Sequence, residues 1–291
     1  MGQTTFSTRD TGGSESVSLL MYQDLSLRCS ICGCKIMPII RTGPSLTFYA
    51  HVPKCGGSSM AQYLTERIGP LAYHNPYFLS LKPERRWSKS SPQHIDVTSL
   101  HRLFPKDFFD HTFTFVRHPV GRIISAYHFQ VEVERSVSEA VSFIDWLDEI
   151  EDRLVETPFI FDNHIRPMTD IVPEGAQVFY MEHGMDAVIP WLDEVVGEKT
   201  GPRALPRVNE RKKPSKKDAA PIVPDDAILD RIARIYAADF ERFGYSIAEK
   251  MPAAPAPDLP EDVIAARDAA QKAHGKPGRQ FKRKVQALFG K

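Results

Sequence analysis

Apolar positions in this chain fall into short continuous runs separated by helical stripes, and that alternation sets the order of elements. Leu46 to Val52 is apolar and aromatic and is stopped by Pro53, which predicts a buried strand followed by a loop. Ser58 to Ile68 then carries Met60, Leu64 and Ile68 at helical spacing. The order repeats: Thr112 to Val116 is a second strand, ended by Arg117-His118-Pro119, and Val120 to Phe129 resumes a helical pattern. Farther on, Val137 to Leu154 predicts a helix, Gln177 to Met181 a third strand and Asp186 to Val196 the helix after it. Asp225 to Phe240 sets Ile228, Ile232, Ile235 and Tyr236 on one face, the mark of an amphipathic helix. Residues 69–111 are irregular and rich in aromatics, Pro, Ser and His, with one short helix expected over Thr98 to Phe104, and Thr200 to Pro224 is a basic loop. Strands alternating with helices predict an α/β fold of three layers, a central parallel sheet flanked by helices.

The boundaries follow from the same pattern. Residues 1–44 are polar and end at Gly43-Pro44, so they are expected to form a weakly ordered extension. Residues 45–250 hold the alternating elements and should make one domain, a size that the chain of 291 residues allows. Residues 251–291 read as a Pro/Ala-rich linker and a basic, helical tail.

Charge narrows the partners. Lys plus Arg number 37 against 37 for Asp plus Glu, so no global field would hold a polyanion such as nucleic acid, and any anion site must be local. No apolar run nears the length of a membrane span, and the opening lacks the basic start and apolar block of a secretory signal. The basic tail Lys282-Arg283-Lys284 offers a peripheral contact with an acidic membrane or glycan, against the plainer role of a solvated helix face. Four cysteines, at 29, 32, 34 and 55, make no disulfide framework in a chain of this size and fit a reduced, cytoplasmic setting. Cys29-x-x-Cys32-x-Cys34 lacks a fourth ligand at matching spacing, so no metal is expected.

Two motifs carry the chemistry. In the first, His51-Val52-Pro53-Lys54-Cys55-Gly56-Gly57-Ser58-Ser59, a strand enters a Gly-rich turn and then a helix. Paired glycines let backbone N–H groups approach an anion, and the helix start aims further donors and its positive dipole end at the same point. Lys54 precedes the glycines, whereas the nucleoside triphosphatase loop ends in Gly-Lys-Ser/Thr, so the guest is a phosphate or sulfate held in another way. In the second motif, Val116-Arg117-His118-Pro119 is followed by Gly121-Arg122 and Ser125-Ala126-Tyr127, which sets Arg117 at a strand's carboxyl end and Ser125 two turns into the next helix. A guanidinium there can form a two-pronged bond to a phosphate, with the hydroxyl as a second donor.

Both motifs, in this order, resemble those of the sulfotransferases that use 3′-phosphoadenosine-5′-phosphosulfate (PAPS), and most of all the carbohydrate enzymes of Golgi and bacterial type. The resemblance implies a P-loop-like fold. It also implies that Lys54 bridges the leaving phosphate and the sulfuryl group, that Cys55, Gly56, Gly57, Ser58 and Ser59 hold the 5′-phosphate, and that Arg117 and Ser125 hold the 3′-phosphate. Weaker similarity extends to Asp162-Asn163-His164-Ile165-Arg166-Pro167 and to the closing Asp239-Phe240 and Phe243-Gly244-Tyr245. In related enzymes a His or Glu between the motifs takes the acceptor proton. By position His94 is the expected base, within Gln93-His94-Ile95-Asp96-Val97, and His74 is the next candidate; His51 is expected to be buried in support of the turn. His164 and Arg166 could bind an anionic acceptor, or Arg166 could pair with Asp162 and Asp170. Arg211, in the run Arg211-Lys212-Lys213, is expected to reach the 3′-phosphate, its alternative being a solvated charge run. The function expected is in-line transfer of a sulfuryl group from PAPS to a hydroxyl, more readily on a glycan than on a small molecule. The rivals are a kinase-like nucleotide enzyme and a nucleotide- or glycan-binding module without turnover.

Overall fold

The computed structural model of the chain describes residues 39–73, 77–208 and 222–274. Four strands form one sheet in the order β1-β2-β3-β4: Ile39–Thr42, Ser45–Ala50, His111–Val116 and Gln177–Tyr180. The last three run parallel, with Ala50 opposite Thr114 and Val116 opposite Tyr180. The expected parallel sheet is therefore present, with one addition. β1, inside the segment assigned to an extension, turns at Gly43 and pairs antiparallel with β2. That turn takes a φ of 62° at Gly43, a left-handed value that glycine adopts without penalty.

Helices cover both faces, as alternation along the strands requires. Tyr49, Phe113, Phe115 and Phe179 pack on Met60 and Leu64 of α1 (Gly57–Arg67) and on Ile189 and Leu192 of α5 (Val188–Val196). Phe48 and Ala50 turn the other way, onto Ile95 and Leu100 at α2 (Val97–Leu103). A separate cluster joins α3 (Pro119–Glu132), α4 (Phe143–Glu156) and α6 (Asp226–Ile235) around Trp146, Ile123 and Ile232.

Two expected helices depart from the pattern seen in the sequence. α4 starts at Phe143, later than the expected Val137, because Ser142 caps it by accepting the Asp145 N–H. The helix expected over Asp225 to Phe240 is two, α6 and α7 (Ala237–Phe243), broken at Tyr236, whose hydroxyl donates to the Ile165 carbonyl at 2.6 Å. α8 (Glu261–His274) lies in the stretch assigned to linker and tail and inserts the buried Val263 into the main core. Arg203 braces it from the side by donating to Asp262 at 2.7 Å.

Candidate active site

β2 and β3 are adjacent and parallel, so the loops that leave their carboxyl ends emerge together, the place where open parallel sheets bind ligands. The loop after β2 is Val52 to Gly56, and the one after β3 is Arg117-His118. They touch: the Arg117 guanidinium donates through Nη1 to the Lys54 carbonyl at 3.4 Å. Arg122, one turn farther into α3 and 1% exposed, donates through Nε to the Pro53 carbonyl at 3.1 Å and through Nη2 to the His164 carbonyl at 3.3 Å. One buried side chain thus ties together both motifs and the Asp162–Pro167 segment.

The first loop is shaped for close approach. Lys54 and Gly56 both take positive φ, 68° and 78°, and α1 opens at Gly57 with no side-chain cap and no acidic residue in its first turn. The start of this 11-residue helix, with no side-chain cap, aims its positive end at the space over the loop, where an anion is favoured. A Cβ on Gly57 would stand 1.6 Å from Nε2 of His51, so only glycine lets the helix begin over that ring. His51 is buried, as expected, and burial holds its protonation well below the ordinary histidine range, so it supports the turn as a neutral ring. Lys54, Gly56 and Ser58 are partly exposed, while Ser59 is buried and accepts the Val208 N–H at 3.1 Å. Cys55 is fully buried, and burial pushes its thiol up to about 12, so any contribution from this position to a ligand comes from its backbone.

Next to this loop stand three imidazoles. The His51 and His94 ring centroids are 4.8 Å apart, and those of His94 and His164 are 5.0 Å apart. His94 is 7% exposed, and its Nδ1 lies 2.7 Å from Oδ2 of Asp162. Asp162 also accepts the Ser91 N–H and hydroxyl, each at 2.6 Å. Burial alone would raise this carboxyl; the charge and hydrogen bond of His94, then His164 and Ser91, outweigh it and hold Asp162 at about 2. An ionised carboxylate only accepts, so Nδ1 of His94 carries a proton, and whenever the ring is neutral Nε2 is the nitrogen with the lone pair. Asn163 fixes the backbone by donating to the His94 carbonyl at 2.7 Å. On the far side Phe129 meets His164 edge-on at 4.9 Å and carries the Lys54 ammonium 3.7 Å from its ring centre.

The residues expected from the sequence divide accordingly. Lys54, Cys55, Gly56 and Arg117 belong to the two touching loops, Gly57, Ser58 and Ser59 open α1 directly after the first of them, and Ser125 is half-buried in α3. His94 and His164 are neighbours, and Arg166 binds Asp170 at 2.9 Å, lies 3.6 Å from Asp96 and faces Phe159 at 4.8 Å. Asp162, weighed from the sequence as a partner for Arg166, is the partner of His94 instead. His74 and Arg211 lie outside the described residues, as do Cys29, Cys32 and Cys34. The closing segment proves structural. Asp239 accepts the Met168 and Thr169 N–H groups at 2.9 and 2.8 Å, and Tyr245 donates to Glu182 at 2.9 Å. Glu182, which the sequence did not single out, also accepts the His118 N–H at 2.8 Å and so fixes the turn beside Arg117.

A model described as "Sulfotransferase family" matches residues 39–246, which span both loops and all three histidines. The chain belongs to this family. It is accordingly a sulfotransferase enzyme, PAPS-dependent as the family is. No curated protein and no solved structure matches the chain significantly. The match begins at β1 and runs through α7, so the sulfotransferase region contains the whole sheet and the helices that close over it. The residues present suit a doubly anionic nucleotide, with an uncapped helix start at one loop and a guanidinium at the other.

Proposed function

We propose that this sulfotransferase moves the sulfuryl group of PAPS to a hydroxyl of a carbohydrate by in-line displacement, with His94 as the base. The observation that supports the proposal best is the contact between Arg117 and the Lys54 carbonyl, which would let the two turns serve one nucleotide. In this reading Lys54 attends the bridging oxygen and the sulfuryl group. The backbone of Cys55 to Gly57, with Ser58 and Ser59, holds the 5′-phosphate, and Arg117 and Ser125 hold the 3′-phosphate. Arg211 keeps the nucleotide role assigned from the sequence.

Sulfuryl transfer asks for alignment and charge neutralisation rather than a covalent intermediate. The acceptor proton goes to Nε2 of His94, the nitrogen that Asp162 leaves with a lone pair. His164 and Arg166 flank the acceptor side. A carbohydrate acceptor is favoured by the motif resemblance and by exposed Tyr77 and Trp87, flat rings on the stretch that runs into His94. A cytoplasmic location is part of the same proposal, resting on the sparse cysteines.

Calorimetry and transfer assays test it. Adenosine 3′,5′-bisphosphate should bind and ATP should not, and radiolabelled PAPS should label polysaccharides in preference to lipids and phenols. A preference for ATP would refute the nucleotide assignment, and labelling of phenols alone would refute the acceptor class.

A further inference from the structure

The two adjacent imidazoles of the site have opposite hydrogen-bonding roles, imposed by different neighbours. Asp162 draws the His94 proton onto Nδ1. Gln130 does the reverse to His164: with its Oε1 accepting the Ser136 hydroxyl at 2.7 Å, its Nε2–H donates to Nδ1 of His164 at 2.9 Å. Neutral His164 therefore carries its proton on Nε2. Its ring stands between His94, at 5.0 Å, and Phe129, at 4.9 Å, and Phe129 supports the Lys54 ammonium.

That place has a chemical meaning if the sulfuryl-transfer proposal holds, on which the following rests. In an in-line displacement the attacking oxygen, the sulfur and the leaving oxygen lie on one line, with the base at one end and the lysine at the other. A group beside that line, next to the base and to the ring that carries the lysine ammonium, can meet the equatorial sulfuryl oxygens. We infer that His164 is a neutral hydrogen-bond donor to the sulfuryl group in transfer, and that Gln130 is the positioning residue that sets its tautomer. As the acceptor O–S bond forms, the S–O bond to the phosphate breaks and its electron pair leaves with adenosine bisphosphate. The acceptor proton passes to His94, and His164 keeps its own. Burial holds His164 neutral, and the charge that His94 gains as it takes the acceptor proton, with those of Lys54 and Arg122, outweighs Asp162 and keeps it so.

Nitrogen NMR of the imidazoles in the full chain, with adenosine 3′,5′-bisphosphate bound, reads the tautomer without any variant. The expected result is the Nε2–H form for His164 at neutral pH, and the Nδ1–H form after Gln130→Glu. Kinetics give the second arm, with label transferred from PAPS to chondroitin as the readout. His164→Gln, whose amide nitrogen can stand where Nε2 was, should keep kcat within about tenfold of the wild type, whereas His164→Asn should lose on the order of a hundredfold. Nucleotide affinity should be the same in both. A proton on Nδ1 of wild-type His164, or equal turnover in the two variants, overturns the inference and leaves sulfuryl transfer standing. Failure of the wild type to bind the bisphosphate removes the underlying proposal and this inference with it.

Discussion

His94 and Asp162 lie 68 positions apart in the chain and meet at 2.7 Å between Nδ1 and Oδ2. The contact depends on an unusual backbone. Phe161, Asp162 and Asn163 take φ values of 53°, 54° and 63° in succession, a left-handed run that costs about 1–2 kcal/mol per residue, less for Asp and Asn, whose short polar side chains tolerate it. Its return is visible in the hydrogen bonds: Asp162 takes the Ser91 and His94 donors, and Asn163 takes the His94 carbonyl. Strain held at a chemical centre is a common way of presenting a side chain that regular structure could not.

Asp162→Asn should therefore damage turnover more than binding. The amide can donate to Nδ1 of His94 and would move the imidazole proton to Nε2, the nitrogen that must accept. A fall in kcat of about 10²–10⁴-fold is expected, with adenosine bisphosphate affinity retained, by steady-state kinetics and calorimetry. A change under tenfold would remove the carboxylate from the reaction. The same pair predicts an acid limb in stability. Because Asp162 is held at about 2 against its ordinary 3.8, its contribution is fully present above the ordinary value and is lost as pH falls through the folded one. That amounts to about 2 kcal/mol, so melting curves of wild type and Asp162→Asn should converge between about pH 4 and pH 2.

Much of this was written locally and therefore legible in the sequence. Leu46–Val52 and Thr112–Val116 announce their strands by composition, and Gly56-Gly57 and Arg117-His118-Pro119 announce their turns, because each motif is a single strand, turn and helix. Asp162 was named for the wrong partner, since nothing in Phe161-Asp162-Asn163-His164 states that three residues turn left-handed and redirect the carboxylate from Arg166 to His94. Gln130 and Arg122 sit in a helix whose pattern explains them as ordinary polar positions; only the fold brings the His164 carbonyl and Nδ1 to them. β1 escaped because four residues, Ile39–Thr42, followed by Gly43-Pro44 carry too short a signal to separate from a polar extension.

Gly57 and His51 should be coupled. A methyl group at position 57 would lie 1.6 Å from Nε2 of His51, and the ring is buried against Tyr49 and His94 with nowhere to move. Gly57→Ala is expected to cost about 1–3 kcal/mol through overpacking and to weaken bisphosphate binding at the displaced helix start. In a His51→Ala background the same change should cost clearly less, and denaturant melts of the four proteins measure the difference. Equal costs in both backgrounds would mean that the ring is not what reserves this position for glycine.

Arg122 holds the two loops by charge-assisted bonds to Pro53 and His164 from a site 1% exposed. Arg122→Leu strips two buried carbonyls of their donors, at about 1–3 kcal/mol for each group left unsatisfied. Arg122→Lys keeps the charge but cannot serve two carbonyls with a planar fork. Both variants should lower the melting temperature and weaken nucleotide binding, the leucine more than the lysine. Unchanged affinity in a folded Arg122→Leu protein would show that the loops keep their spacing without it.

Asp193 anchors the carboxyl end of α1. It is 8% exposed, takes Arg67 at 2.6 Å and accepts both Nη groups of Arg203 at 2.7 and 2.9 Å, while Arg203 reaches on to Asp262 of α8. Burial works against its ionisation, but the hydrogen bonds from Arg203 and Arg67 prevail and hold the carboxyl below its ordinary range. Its stabilisation is accordingly present above that range and fades on acidification through the folded value. Asp193→Asn leaves two confined guanidinium groups facing a neutral amide, and breaking a buried pair in this way costs about 3–5 kcal/mol. Asp262→Asn touches the exposed end of the same chain of charges and should cost far less. Thermal melts of the two variants should differ widely, while residual bisphosphate binding in whatever fraction stays folded should be normal, because neither residue contacts the loops around Gly57 and Arg117. Similar melting temperatures for the two would mean that this network contributes through packing of α8 rather than through the buried charge.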